Sequence, residues 1–286
     1  MGLFGSLFGD SSGPVTPLPP VPPRYTTKYG VQIPFEEYDR PSLNRLVPRL
    51  VRQDLNTYIP LTQPVEDDGF VATMNALGIP IMFITPYVYT RTLADDPTST
   101  PPAFKTPDSL AHYMAASVKK YARKVAFWEI FNEPNAPAES NGGARSFTPA
   151  EYMSYLVPMS LAIRSSDPFT RVVAGATSGM PHDWHRQLAS LGAAKYCDFL
   201  SFHPYGESTR SVVDSTLALQ QIWGTTPLMC TEYGDADPIK AIAMHQALEG
   251  LVHTSVFFTL HGDPYGLIDA AGSDRASYSG AVKLFA

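Results

Sequence analysis

Two glutamates stand at the ends of apolar runs about one hundred residues apart. Glu133 lies in Trp128-Glu129-Ile130-Phe131-Asn132-Glu133-Pro134-Asn135, and Glu232 in Met229-Cys230-Thr231-Glu232-Tyr233-Gly234. Two carboxyl groups facing each other across a cleft can share the work of breaking an acetal. One is held protonated and gives its proton to the leaving oxygen, while the other stays ionised and attacks the anomeric carbon. Either glutamate alone is better explained as a loop salt bridge or a helix cap; the matched positions favour the pair. A third run, Ser201-Phe202-His203-Pro204-Tyr205-Gly206, brings His203 or Tyr205 within reach of Glu232. A hydrogen bond from either would keep that carboxylate anionic and oriented.

Such groups need a frame that aims them at one point. From Tyr29 onward the chain alternates short β-branched or aromatic runs with longer helical patterns. The runs predict strands over Tyr29–Ile33, Thr57–Leu61, Ile79–Thr85, Ala126–Phe131, Arg171–Ala176, Phe199–His203, Leu228–Thr231 and Ser255–Leu260. Helices are predicted over Ser42–Asp54, Asp68–Leu77, Asp108–Arg123, Pro149–Ser165, His182–Ala193, Arg210–Ile222, Pro238–His253 and Ser277–Phe285. Thr148-Pro149-Ala150-Glu151 reads as a capping box with proline at the first helical position, and Thr106-Pro107 and Asp237-Pro238 give the same start signal. Eight strand–helix pairs suggest an α/β fold of the closed (β/α)8 TIM-barrel type. The rival, an open doubly wound sheet, lacks a Gly-rich phosphate loop after any strand. In a barrel, chemistry sits at the C-terminal strand ends, where Glu133 and Glu232 fall on roughly opposite sides of the mouth.

The other polar and aromatic candidates are less specific. Tyr87 and Tyr89 follow the third predicted strand, and Tyr233 and Tyr265 lie on later loops; aromatic faces can stack on sugar rings. Tyr87 is the best placed of these. Trp128 precedes Glu133 by five residues and belongs to the opposite strand face, packing between barrel and helix. Glu129 is in phase with Glu133, points inward, and needs a partner that its neighbours in sequence do not identify. His182, Asp183 and His185 open a helix without a third marked ligand, so a polar helix start is the better reading than a metal site. No Gly-x-Ser-x-Gly turn supports a serine nucleophile.

Composition narrows the class. The 286 residues are 44% hydrophobic and 17% charged, enough for a packed core. Lys and Arg number 21 against 27 Asp and Glu, a formal charge of −6 with no basic stripe, which argues against nucleic acid as a partner. No uncharged apolar run is long enough to span a membrane. Cys197 and Cys230 form no disulfide framework and read as buried thiols. Residues 1–27 form a separate, proline-rich arm with Pro19-Pro20 and Pro22-Pro23, extended and unable to pack a core. It lacks the basic start and continuous apolar stretch of a secretory signal. Gly2 with Ser6 matches the short N-myristoylation pattern, relevant only in a eukaryotic context.

The three motifs, Trp-Glu-Ile-Phe-Asn-Glu-Pro-Asn at 128–135, His-Pro-Tyr at 203–205 and Thr-Glu-Tyr-Gly at 231–234, resemble those of glycoside hydrolase clan A, the retaining (β/α)8 glycosidases. The resemblance spans residues 28–286 and looks most like family 39 and family 5-like enzymes. It implies Glu133 as acid/base, Glu232 as nucleophile and Asn132 as the donor to the sugar 2-hydroxyl, with no cofactor. Two departures stand out. The predicted second strand, around Thr57–Gln63, lacks the arginine many clan members place near the nucleophile. The last strand ends in Thr259-Leu260-His261-Gly262-Asp263, where a tryptophan platform is usual, so His261 is the candidate replacement. The expected activity is retaining hydrolysis of a cell-surface or exopolysaccharide-type glycan. Alternatives are a catalytically idle carbohydrate-binding or structural barrel, held on a larger assembly such as a phage particle through residues 1–27, and a metal-dependent barrel hydrolase. Delivery on a particle would bring a chain without a standard signal peptide to an extracellular glycan.

Overall fold

In the computed structural model, eight parallel strands close into a barrel in sequence order. They are β1 (Lys28–Gln32), β2 (Leu50–Asp54), β3 (Ile81–Ile84), β4 (Phe127–Glu129), β5 (Arg171–Ser178), β6 (Phe199–His203), β7 (Leu228–Tyr233) and β8 (Thr254–Phe257). β8 pairs back onto β1 from Lys28↔Thr254 to Val31↔Phe257, completing a TIM barrel as predicted. The helices between strands are α1 (Asp67–Ala76), α2 (Pro107–Lys120), α3 (Pro149–Ser166), α4 (His182–Ser190), α5 (Thr209–Trp223) and α6 (Pro238–Leu248). The structure describes residues 27–33, 43, 46, 48–55, 67–88, 106–141, 144–261, 265–268 and 273–275. The predicted arm except Thr27, the last predicted helix, Thr57–Leu61, Tyr89 and Gly262-Asp263 lie outside them.

Helix starts follow the sequence signals. Thr148 Oγ1 accepts from the Glu151 amide at 3.3 Å, and Glu151 Oε2 accepts from the Thr148 amide at 3.0 Å, so two otherwise unpaired donors are satisfied at the head of α3. Thr106 and Ser109 form the equivalent box on α2, and Asp237 caps α6. Strand alternation then sorts side chains into two cores. Leu50, Met82, Val173, Phe199, Met229 and Val256 are buried inside the barrel near the strand starts, with Phe127 packed against them. This plug leaves the C-terminal ends for chemistry. The larger core lies between strands and helices and contains Trp128, whose ring centroid is 5.6 Å from that of Phe83. Burial of one such side chain stabilises the fold by ~1.5–3 kcal/mol.

The second strand corrects the sequence reading. It is Leu50–Asp54, not Thr57–Leu61, and it takes the last third of the predicted helix Ser42–Asp54. Leu43, Leu46, Val47, Leu50 and Val51 recur at helical spacing. Leu43 and Leu46 are indeed helical and buried. The chain then switches to a period of two, with Leu50, Arg52 and Asp54 on the barrel side. A buried arginine and glutamine in Leu-Val-Arg-Gln-Asp imitate the polar face of a helix, which hides the strand. Among the described residues no helix is long and apolar enough to cross a membrane.

Candidate active site

Glu133 is aimed by strained backbone. Phe131 and Glu133 adopt φ of 63° and 46°, the left-handed region that costs a non-glycine residue of order 1–3 kcal/mol. The turn is braced on both sides. The Phe131 amide donates to Thr85 Oγ1 at 3.0 Å, and the Glu133 amide to the Ala176 carbonyl at 2.8 Å. Ala176 belongs to an irregularity in β5, where the register with β6 shifts between Ala174 and Thr177. Asn135 locks the same segment to β5: its Oδ1 accepts from the Ser178 amide at 2.8 Å and its Nδ2 donates to the Ser178 carbonyl at 3.0 Å. Asn141 Nδ2 donates to the carbonyls of Asn132 and Glu133 at 3.0 and 3.2 Å. Pro134 has no amide hydrogen and leaves the ladder without an orphan donor.

Glu232 is carried on β7 itself and is 8% exposed. Gly234, two residues on, has a close neighbour: a Cβ there would lie 2.4 Å from the Phe258 carbonyl oxygen. Only glycine lets the backbone after β8 come so near. Phe258 directly follows β8, and by alternation from Val256 it falls on the barrel-facing side.

The organising residue is Arg52, fully buried on β2. Nε donates to Glu129 Oε2 at 2.7 Å, and Nη2 approaches the same oxygen at 2.7 Å. Nη1 donates to Gln32 Oε1 at 2.5 Å and to Glu232 Oε2 at 2.7 Å, and Nη2 donates to Asn132 Oδ1 at 2.7 Å. Four of the five guanidinium hydrogens are thus spent in hydrogen bonds, and Nη2 adds an ion-pair contact with Glu129. Burial alone would lower the Arg52 pKa, but Glu129 and Glu232 outweigh it and push it above its ordinary value. Glu129 finds here the partner it needs, with Ser201 Oγ donating to its Oε1 at 2.9 Å. The arginine absent from the predicted second strand is therefore present on the actual one. Its signal was the period-two spacing of Leu50, Arg52 and Asp54.

The remaining contacts close the network. Tyr205 donates to Glu232 Oε1 at 2.9 Å. Burial and the Glu232 charge push the tyrosine hydroxyl well above its usual range, so it stays a donor. His203 Nδ1 lies 3.2 Å from Glu133 Oε1 and 3.9 Å from Glu232 Oε2. These two oxygens therefore lie at most about 7 Å apart. His203 Nε2 meets Thr231 Oγ1 at 3.1 Å. Burial raises the Glu133 pKa, but His203, Ser178 and Arg52 together more than offset that and hold the carboxyl below its ordinary value.

Tyr87 joins from the other side of the mouth, its hydroxyl donating to Asp54 Oδ1 at 2.9 Å. The Tyr265 ring centroid is 6.1 Å from that of Tyr205. His261 stands past the end of β8, its backbone bridged to Ile268. Tyr233 does not face the mouth, contrary to expectation. Glu232 takes that direction, so the next residue of the strand points outward. Tyr233 is 3% exposed, its hydroxyl pairs with His245 Nδ1 on α6, and its ring meets Phe257 edge-on. His185 is likewise structural, with Nε2 3.0 Å from Thr177 Oγ1 and Nδ1 accepting from Trp223 Nε1 at 3.2 Å. Among the described residues no cluster of His, Cys, Asp and Glu is arranged to hold a metal ion.

Fold and site together define a (β/α)8 barrel with two carboxyl groups converging across its C-terminal mouth. Solved structures share this architecture. A family 39 glycoside hydrolase from Bacteroides cellulosilyticus WH2 superposes with a TM-score of 0.68 at 17% identity, over 92% of this chain and 64% of its own. A monomeric β-xylosidase from Caulobacter crescentus CB15 gives 0.70 at 17% identity, over 93% of this chain and 69% of its own. An endo-β1,6-glucanase gives 0.67 at 11% identity, over 92% and 77%. The chain thus spans less than two thirds of the first structure and more of the other two. At these identities the likeness is one of fold. No family model matches the sequence, and no curated protein matches it.

Proposed function

We propose that the protein is a retaining glycoside hydrolase acting on a poly- or oligosaccharide of the cell-surface or exopolysaccharide type. The observation that carries this reading is the convergence of Glu133 and Glu232 on one nitrogen of His203. In the first step a Glu232 oxygen bonds the anomeric carbon, the bond to the leaving oxygen breaks, and that oxygen takes the proton of Glu133. In the second, Glu133 removes a proton from water, the water oxygen bonds the anomeric carbon, and Glu232 leaves as carboxylate.

The surrounding groups suit these roles. Arg52 and Tyr205 hold the Glu232 carboxylate in a single orientation. Arg52 also takes the Asn132 oxygen, which turns the amide NH2 of Asn132 outward as a donor for a sugar hydroxyl. His203 tolerates both states of Glu133. With Glu133 ionised, Nδ1–H donates to it and Nε2 accepts from Thr231; with Glu133 protonated, both bonds reverse through the other imidazole tautomer. The Glu133 pKa is lowered in the free protein, so the carboxyl takes its proton from solvent, and substrate binding, by excluding water, favours that protonated form. Tyr87 and Tyr265 offer aromatic edges to a sugar chain.

The test is incubation with a panel of 2-deoxy-2-fluoro glycosides, followed by intact and peptide mass spectrometry. The fluorine slows breakdown of a covalent glycosyl-enzyme, so the expected result is an adduct on the peptide containing Glu232. No adduct with any sugar, beside measurable glycan binding, would replace this reading with the idle carbohydrate-binding barrel.

A further inference from the structure

Asp54 is a carboxylate in the mouth that the double displacement does not use. It ends β2, two residues beyond Arg52 on the same barrel-facing side, and is partly exposed. Arg52 makes no hydrogen bond to it: its hydrogen bonds go to Glu129, Gln32, Glu232 and Asn132. Among the described residues, the hydrogen bond to its side chain comes from Tyr87, on Oδ1. Among the described residues its second oxygen, Oδ2, accepts no hydrogen bond.

The charges around it sharpen the point. Asp54, Glu129, Glu133 and Glu232 surround a single guanidinium. Desolvation raises the Asp54 pKa, and Glu232 and Glu129 add to that, against the lowering effects of Arg52 and the Tyr87 bond. A sugar that put a carboxylate here would meet like charges, while the hydrogen bonds of Arg52 are directed to other groups, and like-charge juxtaposition is a strong device for rejecting a ligand. Sugar hydroxyls are the opposite case: they donate, and a carboxylate oxygen fixed by a neighbouring phenol accepts from them with direction.

We infer that Asp54, oriented by Tyr87, is the specificity-determining residue of the mouth, selecting a neutral sugar ring through its hydroxyl groups and excluding uronic acids. The inference rests on the glycosidase reading and names the substrate class for it. Asp54 acts on recognition of the ring, and Tyr87 acts through Asp54 as a positioning residue.

The experiment compares aryl glycosides of neutral hexoses and pentoses with the matching aryl uronides, on the full chain and on Asp54→Asn and Tyr87→Phe. Binding to immobilised neutral and uronic oligosaccharides is read in parallel, so that recognition is measured even without turnover. Wild type should favour the neutral member of its best pair. Asp54→Asn keeps size and polarity but removes the charge; it should raise KM for the neutral glycoside and narrow the neutral-to-uronide ratio by about 10- to 100-fold. Tyr87→Phe should shift the ratio the same way by a smaller factor. A merely structural role would lower both substrates together and leave the ratio where it was, overturning the inference. A wild-type preference for uronides, in turnover or binding, overturns it as well while leaving the hydrolase reading intact. Neutral-glycan binding that Asp54→Asn weakens, without turnover or a Glu232 adduct, would support the inference and sink the hydrolase reading. Binding to no glycan at all would overturn both.

Discussion

Arg52 Nη1 lies 2.7 Å from Glu232 Oε2, joining a fully buried guanidinium to the carboxylate proposed to attack. The same side chain holds Glu129, which is fully buried. Removing one partner of a buried ion pair costs roughly 3–5 kcal/mol, because the other is left charged and unpaired. Arg52→Ala should therefore unfold at markedly lower denaturant than wild type. Arg52→Lys keeps the charge but not the planar fork. It should recover part of that stability while losing about 10²-fold or more in kcat/KM, measured by urea titration and steady-state kinetics on the same preparations.

Glu133→Gln should separate the acid from the nucleophile. General acid catalysis contributes typically 10²–10⁴-fold, and it is needed most when the leaving oxygen is a poor one. The variant is expected to lose about that factor on an alkyl or sugar leaving group and far less on a dinitrophenolate, with the Glu232 adduct still forming from the activated fluoro-sugar. Equal losses on both leaving groups would remove Glu133 from the acid role.

The hydrogen bond from His203 gives a sign for the pH profile. Glu133 lies below its ordinary value in the free protein, and kcat/KM reports the free enzyme. Its alkaline limb should begin at lower pH than an unperturbed glutamate would give. His203→Asn removes the dominant lowering influence and leaves the opposing effect of burial, so the limb should move to higher pH. A limb that stays in place, or moves down, contradicts the assignment.

His185 makes a separate prediction about folding. Burial lowers its pKa from 6.5 to about 3. Its Nδ1 accepts from Trp223, so protonation there breaks a buried bond. The unfolded chain takes up the proton first as pH falls, so this histidine contributes stability fully above about pH 6.5 and loses it progressively toward about pH 3. His245, lowered to about 4, acts in the same sense. Urea midpoints measured from pH 7 down to 4 should fall, and His185→Gln should flatten that slope while lowering stability at pH 7.

Much of the site is legible in the chain itself. Trp-Glu-Ile-Phe-Asn-Glu-Pro-Asn and Thr-Glu-Tyr-Gly mark two strand ends because an apolar run followed by a carboxylate is a local pattern. Thr148 and Glu151 announce the start of α3 for the same reason: a capping box is built from residues three apart. β6 matches its predicted bounds, Phe199–His203, and the order of strands and helices implies closure.

What the tertiary structure decided is non-local. Leu-Val-Arg-Gln-Asp reads as helix until seven other strands surround it; only then do Arg52 and Asp54 share a face that a barrel can bury. The pairing of Arg52 with Glu129 and Glu232 joins residues 77 and 180 positions apart, and no spacing rule reaches that far. The direction of Tyr233 was settled by which neighbour on β7 claims the mouth, and the left-handed turn at Glu133 by the irregular backbone of β5 beside it. Local propensity selects the elements, but the charges of a buried site are assigned only when packing excludes water and forces each ionic group to find its partner.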